Sequence, residues 1–244
     1  MGIQSRLVEY GDGKTAFDGM LVWDDSYSGP RPGVLVAHTI RGRTSFEEGK
    51  ARDLAELGYV AFAIDVYGSS EIGGDDAASR GNMEALLADR PGLQERLSLS
   101  LATLNAQAEV EENQVAAIGF CFGGLCVLDL ARIGAPLAGV VSFHGLFTAP
   151  GNTDGNVVTA SVLALHGWDD PMATPDSVVA LGEELSVLGA DWQIHGYGKT
   201  QHAFTNPAAN DTARGTVYDA LADKRSWIAM KNFLKEKLEY PEKA

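Results

Sequence analysis

The chain has 244 residues, 45% of them hydrophobic and 21% charged, so it is long enough to bury a sizeable core and has an ordinary globular composition. Its formal net charge is −14, and this acidic balance repels phosphate backbones and argues against nucleic acid as a partner. No apolar run approaches the roughly 20 residues that a membrane-spanning helix needs, so we expect no membrane partner.

The first residues and the cysteines favour a cytoplasmic protein. Residues 1–6 lack the positive-then-apolar order of a signal peptide, and Arg6 stands where a myristoylation site requires Ser or Thr. Cys121 and Cys126 lie five residues apart around one predicted turn and helix, which makes them poor disulfide partners.

Short apolar runs alternate with helical patterns along the chain. Residues 3–23 alternate loosely about a Gly-Asp-Gly turn and predict an antiparallel hairpin. Further strands are predicted at 34–37, 60–64, 114–118, 139–143, 161–165 and 192–197, and helices at about 46–57, 93–110, 175–188 and 217–238. The alternation predicts an α/β protein with one mostly parallel sheet, helices on both of its faces, and a single domain over 1–244.

One long stretch interrupts this alternation. Residues 66–90 are rich in Gly, Ser, Asp and Ala and show no long hydrophobic period. We interpret them as a surface excursion with a short helix around residues 83–87. Excursions at strand ends often cover binding sites, although a solvated loop is the simpler interpretation.

A glycine-flanked cysteine follows the strand at 114–118, in the sequence Gly-Phe-Cys-Phe-Gly-Gly. A residue on a sharp turn between strand and helix has a strained backbone, and bulky side chains two positions to either side would collide. Gly119 and Gly123 therefore suit such a turn around Cys121. This is the pattern of a nucleophile elbow, with cysteine in place of serine. The alternative is a tight turn in which Cys121 is only a small buried side chain.

Two further polar motifs follow later strands. Asp169 and Asp170 come after one predicted strand, and His202 comes after the next. Ligands in such sheets bind beyond the C-terminal ends of the strands, so these groups should meet Cys121 at one edge. Nucleophile, acid and histidine is also the chain order of an α/β-hydrolase triad. We favour Asp170, which stands in a Gly-x-x-Asp-Pro setting, with Asp169 as the second candidate.

The elbow, Asp170 and His202-Ala-Phe together resemble the dienelactone hydrolase family of α/β hydrolases, over residues 34–234. The resemblance implies the α/β-hydrolase fold and a carboxylic-ester hydrolase of the carboxymethylenebutenolidase type, with a Cys121–Asp170–His202 triad, no metal and no cofactor. We expect a small-molecule ester or lactone substrate and a monomer or small homo-oligomer. In this fold the oxyanion donors are backbone N–H groups, and the family's pattern assigns them to Phe122 and Ile40.

The triad has a simple physical basis. A free thiol has a pKa near ~8.5, and a histidine partner lowers it. His202 would take the proton of Cys121, and Asp170 would hold the imidazole and offset its charge. The thiolate would attack an ester carbonyl, and water activated by His202 would hydrolyse the resulting thioester.

Two positions depart from the family's best-known members. Thr39 takes the place of a glutamate that engages the cysteine, and Asn206, four positions after the histidine, replaces an arginine that pairs with the substrate carboxylate. The sequence therefore predicts an uncharged or differently anchored ester rather than dienelactone, with Arg41 or Arg80 as candidate replacement cations.

Four other histidines raise the question of a metal site: His38, His144, His166 and His195. They show no His-x-His or His-x-x-x-His pair, so structural or pocket-lining roles are favoured. The candidate pocket residues are His38, Thr39, Arg41, His144, Trp168 and Tyr197.

Three other functions use the same features. Cys121 could be a low-pKa redox-sensing or otherwise non-catalytic thiol, which leaves Asp170 and His202 unexplained. A thioesterase or peptidase could use the same triad. A nucleotide-binding module is poorly supported, since the elbow is not Gly-x-Gly-x-x-Gly and no Walker lysine follows.

Overall fold

A computed structural model describes residues 2–72 and 74–238. The strands are β1 Ile3–Gly11, β2 Ala16–Asp24, β3 Arg31–Ala37, β4 Val60–Ala63, β5 Val110–Phe120, β6 Gly139–Phe143, β7 Ser161–Gly167, β8 Trp192–Tyr197, β9 Asn210–Asp211 and β10 Thr216–Val217. The first eight form one sheet in the order β1-β2-β4-β3-β5-β6-β7-β8, and β9 pairs with β10 separately. β2 is antiparallel to β1 and β4, and every pair from β4 to β8 is parallel.

Helices cover both faces of this sheet, as predicted. They are α1 Ser45–Glu56, α2 Asp76–Ala88, α3 Arg90–Asn105, α4 Phe122–Arg132, α5 Pro175–Val187 and α6 Ala220–Lys237. One buried cluster includes apolar side chains of α1 and α6, and the other includes those of α3, α4 and α5. Within the described ranges, no helix combines the length and apolar character needed to cross a membrane.

The central strands are buried on both faces. Every residue of β3, β4 and β6 is buried. Parallel strands covered by helices on both sides need apolar residues at nearly every position, because neither face meets water. The continuous apolar runs of the sequence therefore form the central strands of the sheet.

Two element predictions need correction. The predicted helix at 93–110 ends at Asn105, because Val110 belongs to β5 and pairs with Arg31 of β3. The predicted short helix near residue 83 is the 13-residue α2, whose start is capped by the Asp75 carboxylate accepting from the backbone N–H of Ala77 and Ala78. Only Ser79 and Leu86 of α2 are buried, so its hydrophobic period is weak.

Candidate active site

The C-terminal ends of β3, β5, β6, β7 and β8 meet at one edge of the sheet, because these strands are parallel. A cavity of about 250 Å³ opens at this edge. Its lining residues are Thr39, Ile40, Arg41, Phe46, Arg80, Met83, Cys121, His144, Leu146, Met172, His202, Ala203, Asn206, Arg214 and Thr216. Cys121 and His202, which are 81 positions apart in sequence, therefore share one cavity.

The turn at Cys121 depends on its glycines. Cys121 has φ 57° and ψ −115°, a conformation that L-residues adopt only under constraint. A Cβ at Gly119 would overlap the carbonyl oxygen of Gly123, and a Cβ at Gly123 would overlap that of Ala37. The strand-to-helix turn closes this tightly only because both side chains are absent.

Several dipoles converge on the Cys121 sulfur. Cys121 is the N-cap of α4, so the positive end of the helix dipole faces the thiol. The backbone N–H groups of Phe122 and Ile40 also interact with the thiol, and both lower its pKa. These are the two donors that the family resemblance assigns to the oxyanion.

His202 is held by a carboxylate beneath it. Its Nδ1 lies 2.7 Å from Oδ2 of Asp170, and Oδ1 of Asp170 accepts the backbone N–H of Met172 at 2.8 Å. Both side chains are buried, whereas Asp169 is exposed and does not contact the imidazole. Of the two candidate acids, Asp170 therefore has the geometry of a histidine partner.

The backbone of His202 is anchored by a small hairpin that the sequence did not reveal. The His202 N–H donates to the carbonyl of Gly215 at 2.9 Å, and the Val217 N–H donates to the carbonyl of His202 at 2.9 Å. The β9–β10 pair thus fixes the histidine loop against the site.

The thiol and the imidazole are electrostatically coupled. Burial alone would raise the pKa of Cys121, but the charge of the nearby His202, together with the backbone N–H groups of Phe122 and Ile40, outweighs it and lowers that pKa. Burial alone would lower the pKa of His202, yet the Cys121 thiolate and the Asp170 carboxylate raise it to about 10. Nε2 of His202 is buried and makes no hydrogen bond of standard geometry within the described ranges. Each group therefore stabilises the charged form of the other, a thiolate beside an imidazolium.

His144 is a second imidazole next to the nucleophile. Its Nδ1 accepts the backbone N–H of Cys121 at 3.1 Å, and its Nε2 lies 2.8 Å from the Thr205 hydroxyl. Burial and the nearby charge of His202 hold the pKa of His144 well below its usual range. The ring is therefore a neutral acceptor for the elbow backbone.

The structure separates the predicted pocket residues into two groups. Thr39, Arg41 and His144 line the cavity, as do Arg80 and Asn206. The other three predicted pocket residues, His38, Trp168 and Tyr197, are not among the residues that line it.

Trp168 and Tyr197 have contacts outside the cavity wall. Trp168 follows β7 and lies over Gly196, where the missing side chain makes room for the indole. It borders a separate, open groove of about 690 Å³ between α5 and β8, which contains none of the candidate catalytic groups. Tyr197 packs edge-on against Phe204, with ring centroids 5.6 Å apart.

His38 lies behind the loop that lines the cavity rather than in its wall. It is 1% exposed, and its ring hydrogen-bonds to the backbone of Thr39 and Val66. Of the remaining histidines, His166 is buried against Phe147 and His195 is on β8. In residues 2–72 and 74–238, no three His, Cys, Asp or Glu side chains are grouped as metal ligands.

Much of the cavity wall is formed by residues that no sequence motif indicates. The sequence indicates Arg80 only as a candidate cation and Met83 only as part of a short helix, yet α2 brings both to the cavity. The missed lining residues are Phe46, Leu146, Met172, Ala203, Arg214 and Thr216. The one available signal was the length of the 66–90 excursion, since long segments at the binding edge of such sheets are often functional.

Comparisons with known proteins agree with this architecture. The model of the dienelactone hydrolase family matches residues 17–238. A solved structure titled m3DLH is 38% identical, with a TM-score of 0.93, and the match covers 98% of this chain and 100% of that one. A dienelactone hydrolase-like promiscuous phosphotriesterase from metagenomic libraries is 38% identical, with a TM-score of 0.90 and the same coverage. An uncharacterized protein of Caenorhabditis elegans is 36% identical over 155 residues, which are 62% of this chain and 98% of that protein.

The sheet order, the antiparallel β2 and the turn at Cys121 define an α/β hydrolase. Within that class, the chain belongs to the dienelactone hydrolase family and is a carboxylic-ester hydrolase.

Proposed function

We propose that the protein hydrolyses small-molecule esters or lactones through a Cys121–His202–Asp170 triad and a thioester intermediate. The observation that carries this proposal is the arrangement of one imidazole between two partners. Nδ1 of His202 is bound to Asp170 at 2.7 Å, and the same ring is coupled to the Cys121 thiol that shares its cavity.

Acylation begins from the thiolate–imidazolium pair. The sulfur of Cys121 attacks the acyl carbon, which forms a C–S bond and an oxyanion. The oxyanion then collapses, the C–O bond breaks, and the leaving alkoxide takes the proton of His202 Nε2. A lactone follows the same steps, except that its alkoxide remains attached to the acyl group.

Deacylation uses the same imidazole as a base. His202, now neutral, takes a proton from water as the water oxygen attacks the thioester carbon. The C–S bond breaks, the carboxylic acid leaves, and Cys121 returns to the thiolate beside the protonated His202. Asp170 stabilises the imidazolium in both halves of the cycle.

The backbone N–H groups of Ile40 and Phe122 are the proposed oxyanion donors. Both interact with the Cys121 sulfur, next to which the substrate oxygen would develop its charge. Losing one such donor typically costs ~2.7–4 kcal/mol of transition-state stabilisation.

The cavity supports an acyl group that is anchored differently from dienelactone. Thr39 and Asn206 occupy the family's glutamate and arginine positions and line the cavity, and none of its lining residues within the described ranges is acidic. Arg41 is paired with Asp76. Arg80 has no ion-pair partner in the described part of the chain, so a substrate anion at the cavity mouth would meet its guanidinium.

A panel of p-nitrophenyl esters of increasing chain length, together with lactones, tests the proposal. We expect turnover by the native protein and loss in Cys121→Ala and His202→Ala, with Cys121→Ser retaining only a small fraction. Full activity in Cys121→Ala would overturn the mechanism. A kcat/KM for dienelactone that exceeded that for simple short-chain esters by orders of magnitude would overturn the substrate prediction.

Phosphotriester hydrolysis is a second candidate activity. It is favoured by the 38% identical promiscuous phosphotriesterase and by a cavity whose described lining combines N–H donors with arginines and includes no acidic residue. The Cys121 sulfur would attack phosphorus, an aryl oxide would leave, and water would cleave the S–P bond. A dialkyl p-nitrophenyl phosphate tests it: turnover beyond one equivalent supports the activity, and a single stoichiometric release shows inactivation instead.

The remaining alternatives predict different outcomes of the same experiments. A redox-sensing thiol predicts a mass increase with peroxide and no esterase turnover. A thioesterase or peptidase predicts a higher kcat/KM for acyl thioesters or peptides than for oxygen esters. We further propose a cytoplasmic protein that acts as a monomer or small homo-oligomer, which light scattering coupled to size-exclusion chromatography tests.

A further inference from the structure

One peptide bond connects His38 to the proposed oxyanion site. The peptide between Thr39 and Ile40 directs its N–H towards Cys121. The carbonyl at the other end of the same peptide, that of Thr39, lies 2.6 Å from Nδ1 of His38. The His38 ring therefore bonds to the carbonyl of the same peptide whose N–H faces the nucleophile.

The hydrogen bonds of His38 fix its tautomer. A carbonyl oxygen only accepts, so Nδ1 must carry the proton that bonds to Thr39. The backbone N–H of Val66 only donates, and it bonds to Nε2 at 3.3 Å, so Nε2 must be unprotonated. Both conditions are met by one form, the neutral ring protonated at Nδ1.

Two more side chains hold the flanking peptides. The Thr39 N–H donates to Oε1 of the buried Glu47 at 3.0 Å, and the hydroxyl of Tyr67 donates to the Ile40 carbonyl at 3.1 Å. Burial raises the pKa of Tyr67 above its usual range, so the hydroxyl keeps its proton. Glu47 is held by the N–H and hydroxyl of Thr44 at 2.9 and 2.6 Å.

We propose that His38 is a positioning residue for the reaction and orients the Thr39–Ile40 peptide as an oxyanion donor. This inference rests on the proposed function. Without the His38 bond the peptide can rotate and turn its carbonyl, which repels an oxyanion, towards the substrate. A hydrogen bond to a carbonyl also polarises its peptide and strengthens the N–H as a donor. His38 is buried behind the loop and acts on substrate only through this peptide.

Two substitutions separate the two hydrogen bonds of His38. The side-chain amide of Asn reaches the position of Nδ1, so His38→Asn retains the donor to Thr39 and loses the acceptor for Val66. The longer His38→Gln reaches the position of Nε2 and has the opposite effect. The variants are matched, since each keeps one ring hydrogen bond, and their melting temperatures show whether both are folded.

The expected result is a difference in kcat between the two variants. Removing a whole oxyanion donor costs about 10²–10³ in kcat, so misorienting one in His38→Gln should lower kcat by about 10- to 100-fold with little change in KM. His38→Asn should retain most of the activity. Equal kcat values for two folded variants would overturn the proposal.

Two reagents distinguish orientation of the donor from damage to the nucleophile. Iodoacetamide alkylates the thiolate and needs no oxyanion site. An aldehyde inhibitor instead adds to Cys121 and places its oxygen in the oxyanion site. We expect His38→Gln to weaken the aldehyde inhibitor by the same factor as kcat and to change the alkylation rate far less. Parallel losses in both would overturn the proposal. The proposed function fails separately, if Cys121→Ala retains turnover.

Discussion

Nδ1 of His202 lies 2.7 Å from Oδ2 of Asp170, and both side chains are almost fully buried. The other Asp170 oxygen is occupied by the Met172 N–H. Oδ2 is therefore the oxygen that holds the imidazole, and it does so with Nε2 on the side of Cys121.

Asp170→Asn tests this relationship. The amide keeps the size of the carboxylate but can hold the ring in the wrong tautomer and no longer stabilises the imidazolium. The same change in a serine triad costs about 10⁴ in kcat, and we expect a loss of about 10²–10⁴ here. Asp169→Asn is the matched control, because Asp169 is the exposed neighbour. Similar losses in both variants would contradict the assignment of Asp170.

The pH dependence of Cys121 alkylation tests the ion pair. The lowered pKa of Cys121 should keep it a thiolate to a lower pH than a free thiol, so its alkylation by iodoacetamide should begin to slow at a lower pH than that of a free thiol. In His202→Gln the effect of burial is no longer offset, so the pKa of the thiol should rise. The alkylation rate of this variant should therefore begin to fall at a higher pH than that of the native protein. Identical pH profiles for the two proteins would contradict the coupling.

The alkaline side separates alkylation from hydrolysis. As pH rises through about 10, His202 loses the proton that the leaving alkoxide needs, while Cys121 remains a thiolate. Esterase kcat should therefore decline above that pH, and the alkylation rate should not. Because the two groups titrate as a coupled pair, the values belong to the pair. Parallel decline of both rates would instead indicate loss of the fold, which circular dichroism at each pH would detect.

Gly123→Ala tests the close approach at the elbow. The new Cβ would overlap the carbonyl oxygen of Ala37, so either the turn or the end of β3 must shift. We expect a lower free energy of unfolding and a large loss of kcat. Gly49→Ala in α1 is the control, since its Cβ meets nothing within 4 Å and alanine favours a helix over glycine by about 1 kcal/mol. Urea denaturation should show opposite signs for the two variants.

A buried ion cluster supports the loop after β6. Asp129 accepts from Arg90 and Arg132, and both arginines donate to the Thr148 carbonyl. Asp129→Ala leaves two buried cations without this partner and should cost about 3–5 kcal/mol of unfolding free energy. Asp53→Ala removes the half-exposed carboxylate near Lys50 and should change stability by under about 1 kcal/mol. Equal effects would contradict the buried character of the cluster.

The parts of the protein that the sequence predicted best are those governed by local constraints. Gly119 and Gly123 were predicted as elbow glycines on steric grounds, and each contacts backbone in the way that argument requires. The continuous apolar strands likewise predicted a sheet covered on both faces. The single domain over residues 1–244 stays a prediction, which limited proteolysis would test.

The parts that the sequence could not predict depend on tertiary packing. His38 and His144 both follow buried strands, yet one ring turns behind the loop and the other into the cavity. In the sequence, Glu47 is an ordinary acidic residue in the first turn of α1. Its hydrogen bond with the Thr39 N–H arises only from the tertiary fold. α2 lacks a strong hydrophobic period because it buries few residues.

The proposed mechanism requires a covalent bond to Cys121, which rapid acid quench followed by mass spectrometry measures directly. After mixing with excess p-nitrophenyl acetate for a few milliseconds, the native protein should carry one acetyl group, on the tryptic peptide that contains Cys121. The adduct should be absent from Cys121→Ala and should decay at the rate of turnover. An acetyl group on another residue, or full turnover with no adduct in Cys121→Ala, would contradict the account.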